Sequence, residues 1–219
     1  GLQDLLIEKI YFNYKLADIQ KGYPSKQERI VIAKNAENTA TQLYEHFKNG
    51  LSALENKQYD VAIELFTKAN SQVPFRENWN NIGVAYARKA LALKVSSKAE
   101  IENPARFLYP LEVENKSRLL NERTRSLDDT TEEIIELLNH AQSAFEKALQ
   151  LDPSFYKSRI NLACVYDLQG KHNSAIAEIT EKLPEETRAC KEAKIILAIA
   201  YYNADMEEKA EMIWGELKM

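Results

Sequence analysis

Apolar residues recur every three or four positions along most of the chain, which is the spacing of one face of an α-helix. In the clearest stretch, Ala62, Phe66 and Ala69 share a helix face, and Pro74 ends the helix because proline cannot continue the hydrogen-bond ladder. Gly50 lies in the preceding helix, where a residue without a side chain lets two helices approach closely. The pattern therefore predicts a helix–turn–helix unit of about 34 residues.

Residues 1–42 predict a helical extension ahead of this unit. Residues 2–19 carry apolar side chains at helical spacing, and a glycine and a proline follow them. Ser25 is a favourable N-cap for a second helix, and Glu28 stands three positions later, which is the spacing of a capping box. The second helix is expected to reach the first unit near Leu43, either directly or through a short break.

The same pattern of small and large residues returns three more times along the chain. Pro184 comes early in the third unit and therefore predicts a short second helix there. The repeated positions are Gly50, Tyr59, Ala62, Phe66, Ala69 and Pro74 in the first unit; Trp79, Ile82, Gly83, Tyr86, Ala141, Phe145, Ala148 and Pro153 in the second; Leu162, Ala163, Tyr166, Gly170 and Ala175 in the third; and Leu197, Ala198, Tyr201, Ala210 and Trp214 in the fourth.

In these positions the chain resembles the tetratricopeptide repeat family. Trp79, Gly83 and Tyr86 match the spacing of tryptophan, glycine and tyrosine in the first helix of that repeat. The resemblance implies an all-α fold, in which residues 43–219 form a right-handed superhelix of about four repeats. The helical extension at residues 1–42 would precede it.

The second unit is interrupted, because the two halves of its pattern stand about 46 residues further apart than those of the first. We assign residues 94–140 to this insertion. Its apolar part, residues 107–113, is expected to be extended, since prolines at 104 and 110 interrupt helical structure. Asp128 or Asp129 is predicted to cap the following helix. Insertions into repeats often lie on a binding face. The candidate binding residues of the insertion are Phe107, Tyr109 and Leu111.

No group of residues predicts catalysis, a metal site or a cofactor. His46, His140 and His172 each lack a second ligand three or four positions away, so they are interpreted as surface or packing residues. Cys164 falls in the middle of a helix and is expected to pack as a small apolar residue. Cys164 and Cys190 do not have metal-ligand spacing.

Charge and hydropathy narrow the class of partner. The formal net charge of −4 argues against nucleic acid, which binds basic surfaces. No apolar run approaches the ~20 residues of a membrane-spanning helix. The chain begins with Gly1 rather than methionine, so upstream residues could be missing. The compartment therefore stays open between the cytoplasm and, if a signal peptide has been removed, the periplasm.

The resemblance also implies a concave groove lined by the first helix of each repeat. Members that bind the carboxyl terminus of a peptide place lysine, asparagine and arginine there as a clamp, and this chain lacks that set. Its groove is expected to be mostly apolar, and such a surface is expected to be covered. It would hold an apolar or helical peptide, or the chain would fill it with its own residues 2–19 or 107–113. The implied groove residues are Phe47, Leu51, Asn80, Val84, Ile160, Cys164, Ile195 and Ile199.

Two classes of function follow from the sequence. The favoured hypothesis is a non-catalytic module that binds a protein or peptide through the groove or the insertion. The alternative is an accessory domain that positions substrate or drives assembly in a larger enzyme. A weaker third hypothesis, an enzyme that uses the insertion as a lid, lacks any acid–base or nucleophile set. A second copy could also bind the C-terminal repeat, around Ile213, Trp214 and Leu217.

Overall fold

The computed structural model describes residues 8, 10, 26–71, 73–97 and 131–217. Within these ranges every regular element is an α-helix, which confirms the all-α prediction. None of the described helices is long and apolar enough to cross a membrane. The helices are α1 Lys26–Glu55, α2 Tyr59–Ala69, α3 Arg76–Ser97, α4 Glu132–Leu151, α5 Tyr156–Leu168, α6 His172–Thr180, α7 Glu185–Arg188, α8 Lys191–Asn203 and α9 Glu207–Leu217.

The chain divides into two compact units, Gly1–Asn81 and Ile82–Met219. In the first, α1 packs against α2. A Cβ atom built on Gly50 would lie 2.7 Å from Cε1 of Phe66, so the phenylalanine ring rests directly on the backbone of α1. Ala62, Phe66 and Ala69 are buried. The predicted close approach of the first helix pair is therefore present, and the glycine is needed because any side chain would meet the ring.

The second unit repeats this contact between α3 and α4. A Cβ atom built on Gly83 would lie 2.6 Å from Cε1 of Phe145, and Phe145 is fully buried. Helix α3 continues through Ser97, as the sequence predicts for its last turns, and residues 98–131 separate it from α4. The pairing of these two helices thus does not depend on their being adjacent in the sequence.

The prediction that Asp128 or Asp129 caps the long helix is wrong. Thr131 is the N-cap of α4, and its Oγ1 accepts a hydrogen bond from the backbone N–H of Ile134 at 3.4 Å. Aspartate and threonine cap helices by the same type of bond, so the residue types alone do not settle which of several neighbours is used. The acidic first turn of α4, with Glu132 and Glu133, suits the positive end of the helix dipole.

The rest of the second unit continues as packed pairs. Helix α5 packs against α4 and α6, and α8 packs against α5, α6 and α9. Helix α6 ends at Thr180, which confirms the predicted short helix ahead of Pro184. In the last pair Ala210 and Trp214 are buried, while Ile213 and Leu217 are partly buried against them.

The remaining predictions about the fold have different outcomes. Helix α1 runs through residues 42 and 43 without a break, which selects the direct connection between the extension and the first pair. Ser25 and residues 107–113 lie outside the described residues, as do all of residues 2–19 except Glu8 and Ile10. The right-handed superhelix and the insertion at 94–140 stay predictions.

Candidate functional site

The groove residues predicted in the first unit differ in exposure. Leu51 is exposed, with 37 % of its surface accessible. Phe47 is partly buried, and its ring centroid lies 6.0 Å from that of Phe66 and 5.7 Å from that of Phe75. Asn80 is buried. Of the groove residues predicted in the first unit, Leu51 is thus exposed and Phe47 is exposed in part.

One residue from the beginning of the chain contributes to the core beside Phe47. Ile10 is 2 % exposed and lies in an apolar cluster, and Phe47 and Tyr44 pack against that cluster. At this position the chain itself supplies apolar contacts next to the predicted groove. The other buried members of the cluster are Ala36, Ala40, Leu43, Val73 and Phe75.

The groove residues predicted in the second unit are all buried. Helix α8 packs against both α5 and α6. The predicted groove residues of α5 and α8 therefore lie in the core of this unit rather than on an open surface. In the described structure they therefore do not form an accessible apolar trough. Their role in binding a partner stays a prediction. The residues concerned are Val84, Ile160, Cys164, Ile195 and Ile199.

A buried polar network in the second unit was not predicted from the sequence. The carboxylate of Asp167, at the end of α5, is completely buried. It accepts a hydrogen bond from Asn203 Nδ2 at 2.8 Å, and His172 Nδ1 lies 2.7 Å from its other oxygen. The network joins the ends of α5 and α8 to the start of α6.

A sequence signal for this network exists in retrospect. Asp167 stands between Val165 and Leu168 in a helix whose neighbouring residues are nearly all buried. A carboxylate in such a position needs hydrogen-bond partners, because burying an unpaired charge is very unfavourable. Its partner Asn203 is 36 positions away, so sequence spacing alone does not identify it.

A second group of charged residues surrounds Glu178 on α6. The carboxylate, which is nearly buried, bonds to Arg159 at 2.9 Å and also to Lys182. Burial, followed by the charges of Glu146 and Glu178, raises the pKa of Tyr166 above its usual value. The tyrosine therefore stays protonated at neutral pH. The group links α4, α5 and α6 and contains no nucleophile beside a base.

His140 and Cys164 have the packing roles that the sequence predicts. The ring of His140 stacks on Tyr86 with centroids 5.0 Å apart, and Cys164 is fully buried. Among the described residues, no group of three or more histidine, cysteine, aspartate or glutamate side chains is placed to hold a metal ion.

Comparison with known families identifies one segment. Residues 144–177 match the family model described as "Tetratricopeptide repeat". This segment is similar to one tetratricopeptide repeat. The matched residues run from the second half of α4 through α5 into α6, the part of the chain that holds Phe145 and Asp167. No curated protein matches the chain.

Proposed function

We propose that this protein is a non-catalytic protein–protein interaction module built from tetratricopeptide-type helix pairs. The observation that carries the proposal is the matched repeat at residues 144–177. Repeats of stacked helix pairs present extended surfaces that suit the binding of other proteins. The two glycine–phenylalanine contacts support an assignment of the same repeat type to α1–α2 and α3–α4.

The finer form of the proposal concerns the binding surface. We infer that a partner contacts the first helix pair around Leu51, because this is the one predicted groove residue that is exposed. The proposal includes the right-handed superhelix and a second contact through the insertion at Phe107, Tyr109 and Leu111. Association of a second copy through the last helix pair is a further part of it.

The experiment uses photocrosslinking in the native host, followed by a direct binding measurement. A benzoylphenylalanine residue is placed at position 51 and, as the matched control, at position 61. Val61 is also an exposed apolar residue, but it lies on α2 and outside the predicted groove. We expect a discrete crosslinked protein at position 51 only, identified by mass spectrometry.

The identified partner is then purified and titrated calorimetrically against the full chain. Leu51→Asp is expected to raise Kd by about tenfold or more, because a charge would enter an apolar contact, and tenfold corresponds to about 1.4 kcal/mol. Val61→Asp is expected to leave Kd unchanged. Equal crosslinking at both positions, or equal weakening by both variants, would refute binding at Leu51.

A further inference from the structure

Asn49 and Gly50 form the one asparagine–glycine pair in the sequence. Such a pair can react spontaneously, because glycine has no side chain to hinder the approach of its backbone nitrogen to the asparagine side chain. Both residues lie in α1, where Asn49 is exposed and Gly50 is buried. The ring of Phe66 rests on Gly50. A chemically reactive pair thus lies at the contact between α1 and α2.

The reaction converts the side-chain amide of Asn49 into a carboxylate. The backbone nitrogen of Gly50 attacks Cγ of Asn49, and the side-chain nitrogen leaves as ammonia together with the proton of the attacking N–H. A five-membered succinimide ring remains, and water opens it at either carbonyl carbon. One product is aspartate at position 49. The other is isoaspartate, in which the chain runs through the former side chain and gains one backbone carbon.

The folded helix pair opposes ring closure. In an α-helix the backbone N–H donates to the carbonyl oxygen four residues earlier, so the nitrogen of Gly50 is engaged along the helix and does not face the side chain of Asn49. Ring closure requires ψ of Asn49 to leave the helical value of about −42°. A Cβ atom built on Gly50 would lie 2.7 Å from Cε1 of Phe66, so the backbone has little room to turn while α2 is in place.

We propose that Asn49–Gly50 is a modification site at which the separation of α2 from α1 controls spontaneous deamidation. Local opening is a normal motion of folded proteins, and each opening frees both ψ of Asn49 and the N–H of Gly50. Isoaspartate makes the change irreversible, because its additional backbone carbon displaces Gly50 from its fit against Phe66. The inference goes beyond the proposed function and does not depend on a partner at Leu51.

The test follows deamidation of the full chain over time by mass spectrometry. Trypsin cleaves after Lys48 and Lys57 and so releases one peptide that contains both Asn49 and Asn56. Asn56 is an internal reference, because it is exposed beyond the end of α1 and the side chain of Lys57 hinders ring closure. In the chain unfolded by urea, Asn49 should react much faster than Asn56. In the folded chain it should lose that advantage.

A matched pair of variants tests the control by α2. Phe66→Leu removes the ring from Gly50, and Phe145→Leu removes the equivalent ring from Gly83 in the second unit. We expect Phe66→Leu to accelerate deamidation of Asn49 by about tenfold, because the rate follows the population of the open helix pair. Phe145→Leu is expected to leave the rate nearly unchanged.

A measurement on the unmodified chain keeps the test independent of whether the variants fold. In increasing urea below the unfolding transition, the rate at Asn49 should rise before circular dichroism reports global unfolding. The proposal would be overturned by equal rates at Asn49 in the folded and unfolded chain, by equal acceleration in the two phenylalanine variants, or by a rate that rises only together with global unfolding.

Discussion

The two glycine–phenylalanine contacts, one in each compact unit, are nearly identical although the chain connects their helices very differently. In the first unit, α2 follows α1 after residues 56–58 only. In the second, residues 98–131 stand between α3 and α4. A Cβ atom would lie 2.7 Å from the ring on Gly50 and 2.6 Å from it on Gly83. The comparison indicates that the contact, rather than the length of the connection, specifies which helices pair.

The two units differ in what joins one helix pair to the next. The second unit contains the fully buried Asp167, whose carboxylate ties the end of α5 to α6 and α8. The described residues of the first unit contain one complete helix pair, α1 and α2, and no equivalent junction is found among them. Buried hydrogen bonds of this kind favour one arrangement of neighbouring helices, because separating the helices would leave buried polar atoms without partners.

The largest expected effect follows from removing this network. Asp167→Ala should lower the free energy of unfolding by about 3–5 kcal/mol, because it removes two hydrogen bonds to a charged group, each worth about 1.5–3 kcal/mol, and leaves the buried amide of Asn203 without its acceptor. Urea denaturation followed by circular dichroism measures this loss. Glu136→Ala, which changes an exposed carboxylate on α4, is the control and should have little effect. A loss below about 1 kcal/mol for Asp167→Ala would mean that the network does not hold the junction.

Smaller and equal effects are expected at the two glycines. Gly50→Ala and Gly83→Ala should each destabilise the protein by about 1–3 kcal/mol, because the added methyl group would overlap an aromatic ring. Denaturant titrations of both variants, monitored by circular dichroism, check the comparison directly. A marked loss for one glycine and none for the other would show that the two contacts are not equivalent.

The sequence predicted a close helix approach at Gly50 and a matching repeat glycine at Gly83, because such an approach requires a small residue. It did not identify Phe66 and Phe145 as the rings that contact these glycines. The exposure of the groove positions was not predictable in the same way. Whether a position such as Ile199 is open depends on how α8 packs on its neighbours, and no local pattern records that packing.

The cap and the buried network show two other limits of sequence reasoning. Thr131, Asp129 and Asp128 are all suitable N-caps, and the one used depends on where α4 begins. The apolar neighbours of Asp167 indicate that its carboxylate needs partners, but its partner Asn203 is 36 positions away and is not identified by sequence spacing. Residue types therefore indicated that a cap exists, whereas tertiary structure determined which residue serves.

The two helix pairs also differ at the N-terminus of their second helix, which is α2 in the first pair and α4 in the second. Helix α2 begins after Gln58 without a side-chain cap, whereas Thr131 caps α4. Thr131→Ala should therefore destabilise the protein by about 1 kcal/mol, because the N–H of Ile134 would lose its acceptor. Thr131→Ser keeps the hydroxyl and is expected to retain most of the stability. If both variants lose the same stability in urea titrations, the hydrogen bond is not the cause.

The smallest effect, with the opposite sign, is expected at Gly215. This glycine lies within α9, and a Cβ atom built on it would have no neighbour within 4 Å. Glycine lowers helix stability because the unfolded chain has more freedom to lose, so Gly215→Ala should stabilise the protein by about 0.5–1 kcal/mol. The same substitution at Gly50 and Gly83 is expected to destabilise it, and the three variants together separate the intrinsic effect of a helical glycine from the contact with the ring. If Gly215→Ala proved as destabilising as the other two in the same denaturant titrations, the loss at Gly50 and Gly83 could no longer be attributed to Phe66 and Phe145.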